Sequence, residues 1–258
     1  MIISFSKLLV TIACIAIFIS CDSSDKSGNI KSTEILTPIQ PNNEMDNFEY
    51  SLKSAHPKAQ ALMKEEFYWS PIEETAPFGS DDGSEAAYGF RPWRLLNKTS
   101  SPVNYVKETI EGWGYAFFDY NEMDTVKIKA YLHQTSDLSE ASIQQKIHTL
   151  KQLAKDSPGN EENLDDDQLR KVVISTNNAM NGEFLLGQDN AIIATGFAQF
   201  VTEGYIDSDL HSLAITAIKR QLLPLLLNRY DIKYRDIRKY QLTKMLEVIN
   251  QADHAPNE

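Results

Sequence analysis

The chain has 258 residues, 42% of them hydrophobic and 24% charged, with 25 Lys and Arg against 36 Asp and Glu for a formal net charge of −11. That balance excludes an electrostatically driven nucleic-acid binder, since phosphate neutralisation supplies most of that affinity, and sets the body against anionic lipid except at an anchor. No G-x-S-x-G elbow, Walker loop, G-x-G-x-x-G or HExxH occurs, so hydrolase, nucleotide, dinucleotide and zincin classes have no signature, and the sequence implies no cofactor.

The opening "MIISFSKLLVTIACIAIFISC" places Lys7 before an apolar run from Leu8 to Ile19. That run has signal-peptide length and is short for a bilayer span. Ser20 followed by Cys21 resembles the lipoprotein box of bacterial lipoproteins, although Phe18 stands where that family usually has leucine. The resemblance implies that residues 1–20 are removed and that Cys21 is lipidated at the new N-terminus. An ordinary cleaved signal or a short uncleaved anchor is the alternative. Cys14 would leave with the signal, so the mature chain would hold no disulfide, no cysteine metal site and no catalytic thiol. Loss of Lys7 takes the balance from −11 to −12. In lipoproteins of enteric-type bacteria an aspartate after the cysteine, here Asp22, favours the periplasmic face of the inner membrane.

Residues 21–48 lack a helical or alternating apolar period and are rich in Ser, Asn, Asp and Pro. They read as a flexible tether reaching some tens of ångströms, from 5–6 Å × √n for coil. Residues 49–252 are expected to form one all-α domain, an irregular bundle of roughly eight helices, with 253–258 as a disordered tail.

Chain order then gives the helices. Around "SAHPKAQALMKEEFYW", Pro57 suits a first turn, with Leu62 and Phe67 or Tyr68 inward. In "SPVNYVKETIEGWG", Ser101 can cap, Pro102 can take the first position, and Val106, Ile110 and Trp113 follow at i, i+4, i+7, with Gly112 or Gly114 ending the helix. "DTVKIKAYLHQ" fits a helix capped by Asp124, but it also alternates as a strand would, leaving a minor β element open near 125–133. Asp137 and Glu140 have capping-box spacing ahead of Ile143, Ile147 and Leu150. Two helices are expected from "DDQLRKVVISTNNAM" and "DNAIIATGFAQFVTEG", the second ending at Gly204. Pro224 should kink or end the helix that begins near Asp207, and the Leu222–Leu227 stretch reads as the core centre. The last helix should turn Ile237, Tyr240, Met245, Val248 and Ile249 inward.

The segment "APFGSDDGSEAAYGFRPWR" carries the most chemistry. Asp81, Asp82 and Ser84 sit where helix caps belong, and Arg91 and Arg94 could fold back onto the acidic loop or onto Glu73 and Glu74. Three readings apply. It can be a structural cap; an interaction surface of Asp81, Asp82, Tyr88, Arg91, Trp93 and Arg94, because aromatics and Arg favour hot spots; or an ion site of Asp81, Asp82 and Glu85. The ion reading lacks the alternating calcium-loop spacing, so no metal site is assigned. Asp119, Glu122 and Asp124 could form a two-carboxylate hydrolase site. His56, His133, His148, His211 and His254 have no ligand spacing, and Asp165–Asp167 reads as a solvated helix start.

"FGSDDGSEAAYGFRPWR", "AIIATGFAQFVTEG" and "KRQLLPLLL" resemble bacterial proteins of the YfeS-like type over most of 55–250. The resemblance implies a shared fold and carries over no catalytic residue; the lipobox and tether would be additions to it. The leading function is a non-enzymatic protein-interaction factor, immunity-like or envelope-associated, held to a membrane by its lipid. The alternative is a hydrolase using the acidic residues, with or without a metal.

Overall fold

The computed structural model describes residues 48–134, 139–156 and 165–255. The fold is all-α. Its helices are α1 (Pro57–Leu62), α2 (Asp81–Leu96), α3 (Pro102–Gly112), α4 (Thr125–Leu132), α5 (Glu140–Asp156), α6 (Asp166–Glu203), α7 (Ser208–Gln221), α8 (Pro224–Leu227) and α9 (Ile232–Gln251), with a 3₁₀ turn at Glu66–Trp69. Segment 125–132, whose pattern also suited a strand, is helical, with the Asp124 carboxylate accepting from the Val126 amide. Among the described residues the one extended pairing is a two-residue parallel bridge, Ile206 with His254 and Asp207 with Ala255. It draws 253–255, expected in the tail, into ordered pairing.

The described residues fall into two compact units, one of 133–180 and one of 48–132 with 181–255. In the first, Ile143 and Ile147 of α5 pack on Leu169 and Val173 of α6, with Leu150 at the edge. Both guanidinium ends of Arg170 reach the Glu140 carboxylate at 2.6 Å. Asp165 and Gln168 form a reciprocal capping box at the start of α6, each side chain accepting from the other's amide. At α5 the hydroxyl of Ser139 accepts from the Ser142 amide; Asp137, the expected cap, lies outside the described residues.

The core of the second unit is the C-terminal part of α6. Residues 191–201 are buried on every side, as expected of a central helix rather than an amphipathic one. Phe197, Phe200, Ile192 and Val201 are fully enclosed there, with Phe90, Val106, Leu210, Ile218, Leu242 and Ile249 around them. Gly196 lets α7 approach, since a Cβ on it would lie 3.4 Å from that of Ala214. Gly204 ends α6 at φ +76°, and a Cβ there would run into the His56 ring.

Two helices expected on either side of 181–188 are one, because Gly182 and Gly187 face close neighbours instead of ending a helix. Added Cβ atoms would meet the Arg229 guanidinium at Gly182, and Tyr115 and Asp82 at Gly187. Pro224 opens α8 as its first residue. The Leu222–Leu227 stretch, expected at the core centre, is divided: Leu227 and half-buried Leu222 join the main core, while Leu226 packs with Phe118, Ile128, Tyr131 and Leu185 in a smaller cluster.

Candidate interaction surface

Helix α2 starts with a cap that sequence placed one residue too late. Ser80, extended at ψ 154°, accepts from the Gly83 amide at 3.1 Å, so Asp81 and Asp82 occupy the first turn and Ser84 lies within the helix. Their charge still suits the positive end of the helix. Gly83, Ala86, Ala87 and Phe90 face the core. Pro92 sits inside α2 without stopping it. At 100° per residue it points away from that buried arc, which leaves the carbonyl four residues back, on Tyr88, at the exposed side.

The six residues singled out in this segment divide into two sets. Asp82 turns inward: its carboxylate accepts from the Tyr115 hydroxyl at 2.6 Å, and burial raises its pKa. Trp93 leans on Phe90 and Tyr105, with centroids 6.1 and 5.4 Å away. Arg94 pairs with Glu203 at 2.9 Å and Asp207 at 3.3 Å, and donates to the Ser100 carbonyl. It does not fold back to the acidic loop or to Glu73 and Glu74, because α2 carries it more than three turns away from its own start. These three side chains are committed to the fold.

Asp81, Tyr88 and Arg91 lie on the outward arc. Tyr88 remains 44% exposed. The Tyr50 ring meets it edge-on at 5.1 Å and 79°. Tyr50 is itself fixed, stacked on Phe78 at 4.4 Å and donating its hydroxyl to the Ala87 carbonyl. Arg91 lies over the Phe48 ring at 4.4 Å. Glu85, one turn before Tyr88, is exposed and accepts from the indole of Trp113 at 3.0 Å. Trp113 in turn packs on Tyr115, and Tyr115 stacks on Phe184. The result is a half-exposed, pre-positioned aromatic strip edged by carboxylates. Sequence inspection missed Phe48, which reaches the strip from another part of the chain; Glu85 was considered only as an ion ligand, and Trp113 only as an alternative aromatic to Trp93.

The other acidic candidates are locally occupied. Asp119 accepts from the Asn121 amide, Glu122 from the Asp124 amide and Lys127, and Asp124 from the Val126 amide. Among the described residues no group of three or more His, Cys, Asp or Glu could hold a metal. His56 caps α1, and the rings of His211 and His254 stack at 5.0 Å. Among the described residues no helix is long and apolar enough to cross a membrane. Cys21 lies outside the described residues.

A buried polar ladder, unsuspected from sequence, ties α6, α7 and α9. Asp189 and Arg220 form a fully buried pair, with guanidinium contacts at 3.1 and 3.2 Å. Burial pushes the Asp189 carboxyl up to about 6 against the opposing pull of Arg220 and Arg238. Arg220 also donates to the carbonyls of Tyr120 and Glu122, fixing the loop before α4. Beside it, Gln221 donates to Asn190 at 3.0 Å. Arg238 donates to Gln221, Asn190 and the Thr75 carbonyl, and its Nε has no partner. The space between Arg238, Asn190 and Met245 has no room for a water molecule. No protein-family model matches the chain, and no curated protein or solved structure matches it either.

Proposed function

We propose that this chain is a lipid-anchored, non-enzymatic interaction protein of the bacterial envelope, immunity-like or envelope-associated, that captures a protein partner with a basic face. The observation that carries the capture is Tyr88: a large ring left 44% exposed yet held by Tyr50, with exposed Asp81 and Glu85 on the same arc. A pre-positioned aromatic loses little rotamer freedom on binding, which is the property of a hot spot. The flanking carboxylates would steer a cationic partner and make association sensitive to salt. The lipobox resemblance at Ser20–Cys21 supports the anchor, and the tether would confine encounters to the membrane's neighbourhood. The resemblance to YfeS-like proteins supports a shared scaffold and assigns no chemistry.

Crosslinking in living cells, read by mass spectrometry, is expected to recover one basic or neutral envelope protein repeatedly. Tyr88→Ala and Glu85→Lys should each reduce that recovery at least tenfold. Recovery unchanged in both variants would place the contact elsewhere.

One observation favours the hydrolase alternative. Asp82 is a carboxyl with a raised pKa beside a tyrosine, as a general acid would need. Its oxygen is already bonded to Tyr115, and the neighbouring Glu85 is held by Trp113. Turnover of a generic ester, phosphoester or glycoside that disappears in Asp82→Asn would replace the binding reading.

A further inference from the structure

Tyr68, in the 3₁₀ turn after α1, is the most enclosed tyrosine among the described residues, at 1% exposed, yet its hydroxyl forms no hydrogen bond with any of them. The buried Tyr50, Tyr105 and Tyr131 each donate theirs to a backbone carbonyl. A buried hydroxyl left without a partner is costly, and a bound ligand can remove that cost. The Tyr68 ring packs on Phe67 and Phe197, and the residue lines a groove of about 290 Å³ between the end of α1 and the last turns of α9.

Two carboxylates line the same groove, Glu65 and Glu247. Burial first, and then the charge on these two, holds the Tyr68 phenol well above its ordinary pKa, so it stays a neutral hydroxyl. Each carboxylate uses one oxygen within the protein. Glu65 Oε2 accepts at 2.8 Å from the hydroxyl of Tyr240, which is half exposed rather than inward as expected. Glu247 Oε2 accepts at 2.8 Å from the Lys244 ammonium. Glu65 Oε1, Glu247 Oε1 and Tyr68 Oη receive no donor from the described residues. Two cations also line the groove: Lys244, held by Glu247 and lying over the Tyr240 ring, and the exposed Lys64. The sides are therefore mixed in charge, while the charges that act on the Tyr68 hydroxyl are the carboxylates.

We infer that this groove binds a small primary alkylamine, its ammonium donating to Tyr68 Oη, Glu65 Oε1 and Glu247 Oε1 and its stem lying on Leu62 and Val248. A primary ammonium has three N–H donors and no acceptor, which matches three unclaimed acceptors, two of them charged. An anion would meet the carboxylates beside the hydroxyl, and a quaternary ammonium would bring charge without donors. A multiply basic protein face would set its further cations against Lys64 and Lys244, so the groove suits a free monoamine. The site shares no residue with the α2 arc and does not rest on it.

Isothermal titration of the full chain with n-butylamine at neutral pH is expected to show saturable one-site binding, with amide NMR shifts at Leu62, Tyr68 and Val248. Tyr68→Phe keeps the ring and removes the hydroxyl; it should weaken binding about tenfold without lowering Tm, and Glu65→Gln and Glu247→Gln should each weaken it similarly. Butyrate and butyltrimethylammonium should not compete. Glu85→Lys should leave amine binding unchanged, which separates this site from the partner surface. No saturable binding of butylamine, equal competition by butyrate, or unaltered affinity in Tyr68→Phe overturns the inference. So does tighter binding of a lysyl tripeptide than of butylamine, which would mark the groove as a seat for a protein's lysine side chain.

Discussion

At the scale of single residues, the stability of this protein depends on polar side chains in places where apolar ones were expected. Ser80→Ala should cost about 1 kcal/mol in urea denaturation by orphaning the Gly83 amide, while Ser84→Ala should cost a few tenths. Asp189→Asn leaves Arg220 and Arg238 buried without a counter-charge, and about 3–5 kcal/mol should be lost. The pH dependence follows from the same burial. Asp82, Asp189 and Asp207 all have raised pKa values, chiefly through desolvation, so the folded state holds more protons than the unfolded chain between 3.8 and about 6 in the case of Asp189. Stability from these groups therefore rises as pH falls through that window. Glu122, Glu140 and Asp253, whose pKa values are lowered by ion pairs and hydrogen bonds, oppose it only once pH drops through their unfolded values of 4.5 and 3.8. Urea midpoints at pH 7 and about pH 5 should therefore show a gain in mild acid. Asp82→Asn, which fixes the uncharged form, should shrink that gain.

At the scale of elements, legibility depended on whether a helix carried its own punctuation. Helix α3 could be read almost to the residue, because Ser101, Pro102 and the left-handed Gly114 (φ 69°) are local signals. In helix α9, Met245, Val248 and Ile249 are inside as expected, but its first half was misread, because Arg238 and Gln241 are inside and Ile237 and Tyr240 are outside. Hydrophobicity cannot foresee a buried ladder whose other rungs come from α6 and α7. The same holds for the candidate surface. Tyr88 was found by residue type, whereas Arg94 and Trp93 were claimed for it although Glu203, 109 residues on, and the Phe90–Tyr105 pair hold them in the fold. Close helix contact can be tested at α2 and α3. A Cβ on Gly89 would stand 2.4 Å from the Tyr105 hydroxyl, which donates to the Ala86 carbonyl. Gly89→Ala should destabilise, and Tyr105→Phe in that background should restore part of the loss, with a coupling of about 1 kcal/mol in a double-mutant cycle.

At the scale of the whole molecule, the proposed α2 surface shares the acidic sign of a chain of net −11. The α2 arc presents Asp81 and Glu85, whereas the start of α9 presents Lys233 and Lys239 beside Asp231 and Asp236. Loss of the proposed anchor is expected to abolish capture in cells. In Cys21→Ala, palmitate label should disappear and the protein should appear in the soluble fraction. Label retained in that variant would show attachment at another site.

The clasp formed by Phe48 and Tyr50 has a mechanical consequence. The first described residues are fastened to α2 through the Arg91 stack, the Tyr88 edge and the hydrogen bond to Ala87. Any pull arriving along the preceding chain loads this clasp before it reaches the central helix. Aromatic contacts pulled apart one after another yield at lower force than a packed core, so the clasp would act as a fuse. Under tension it would release Tyr88 from its brace while the helices stayed intact. Stretching single molecules from residue 47 should therefore show a small early extension, which Tyr50→Ala removes, before the main rupture.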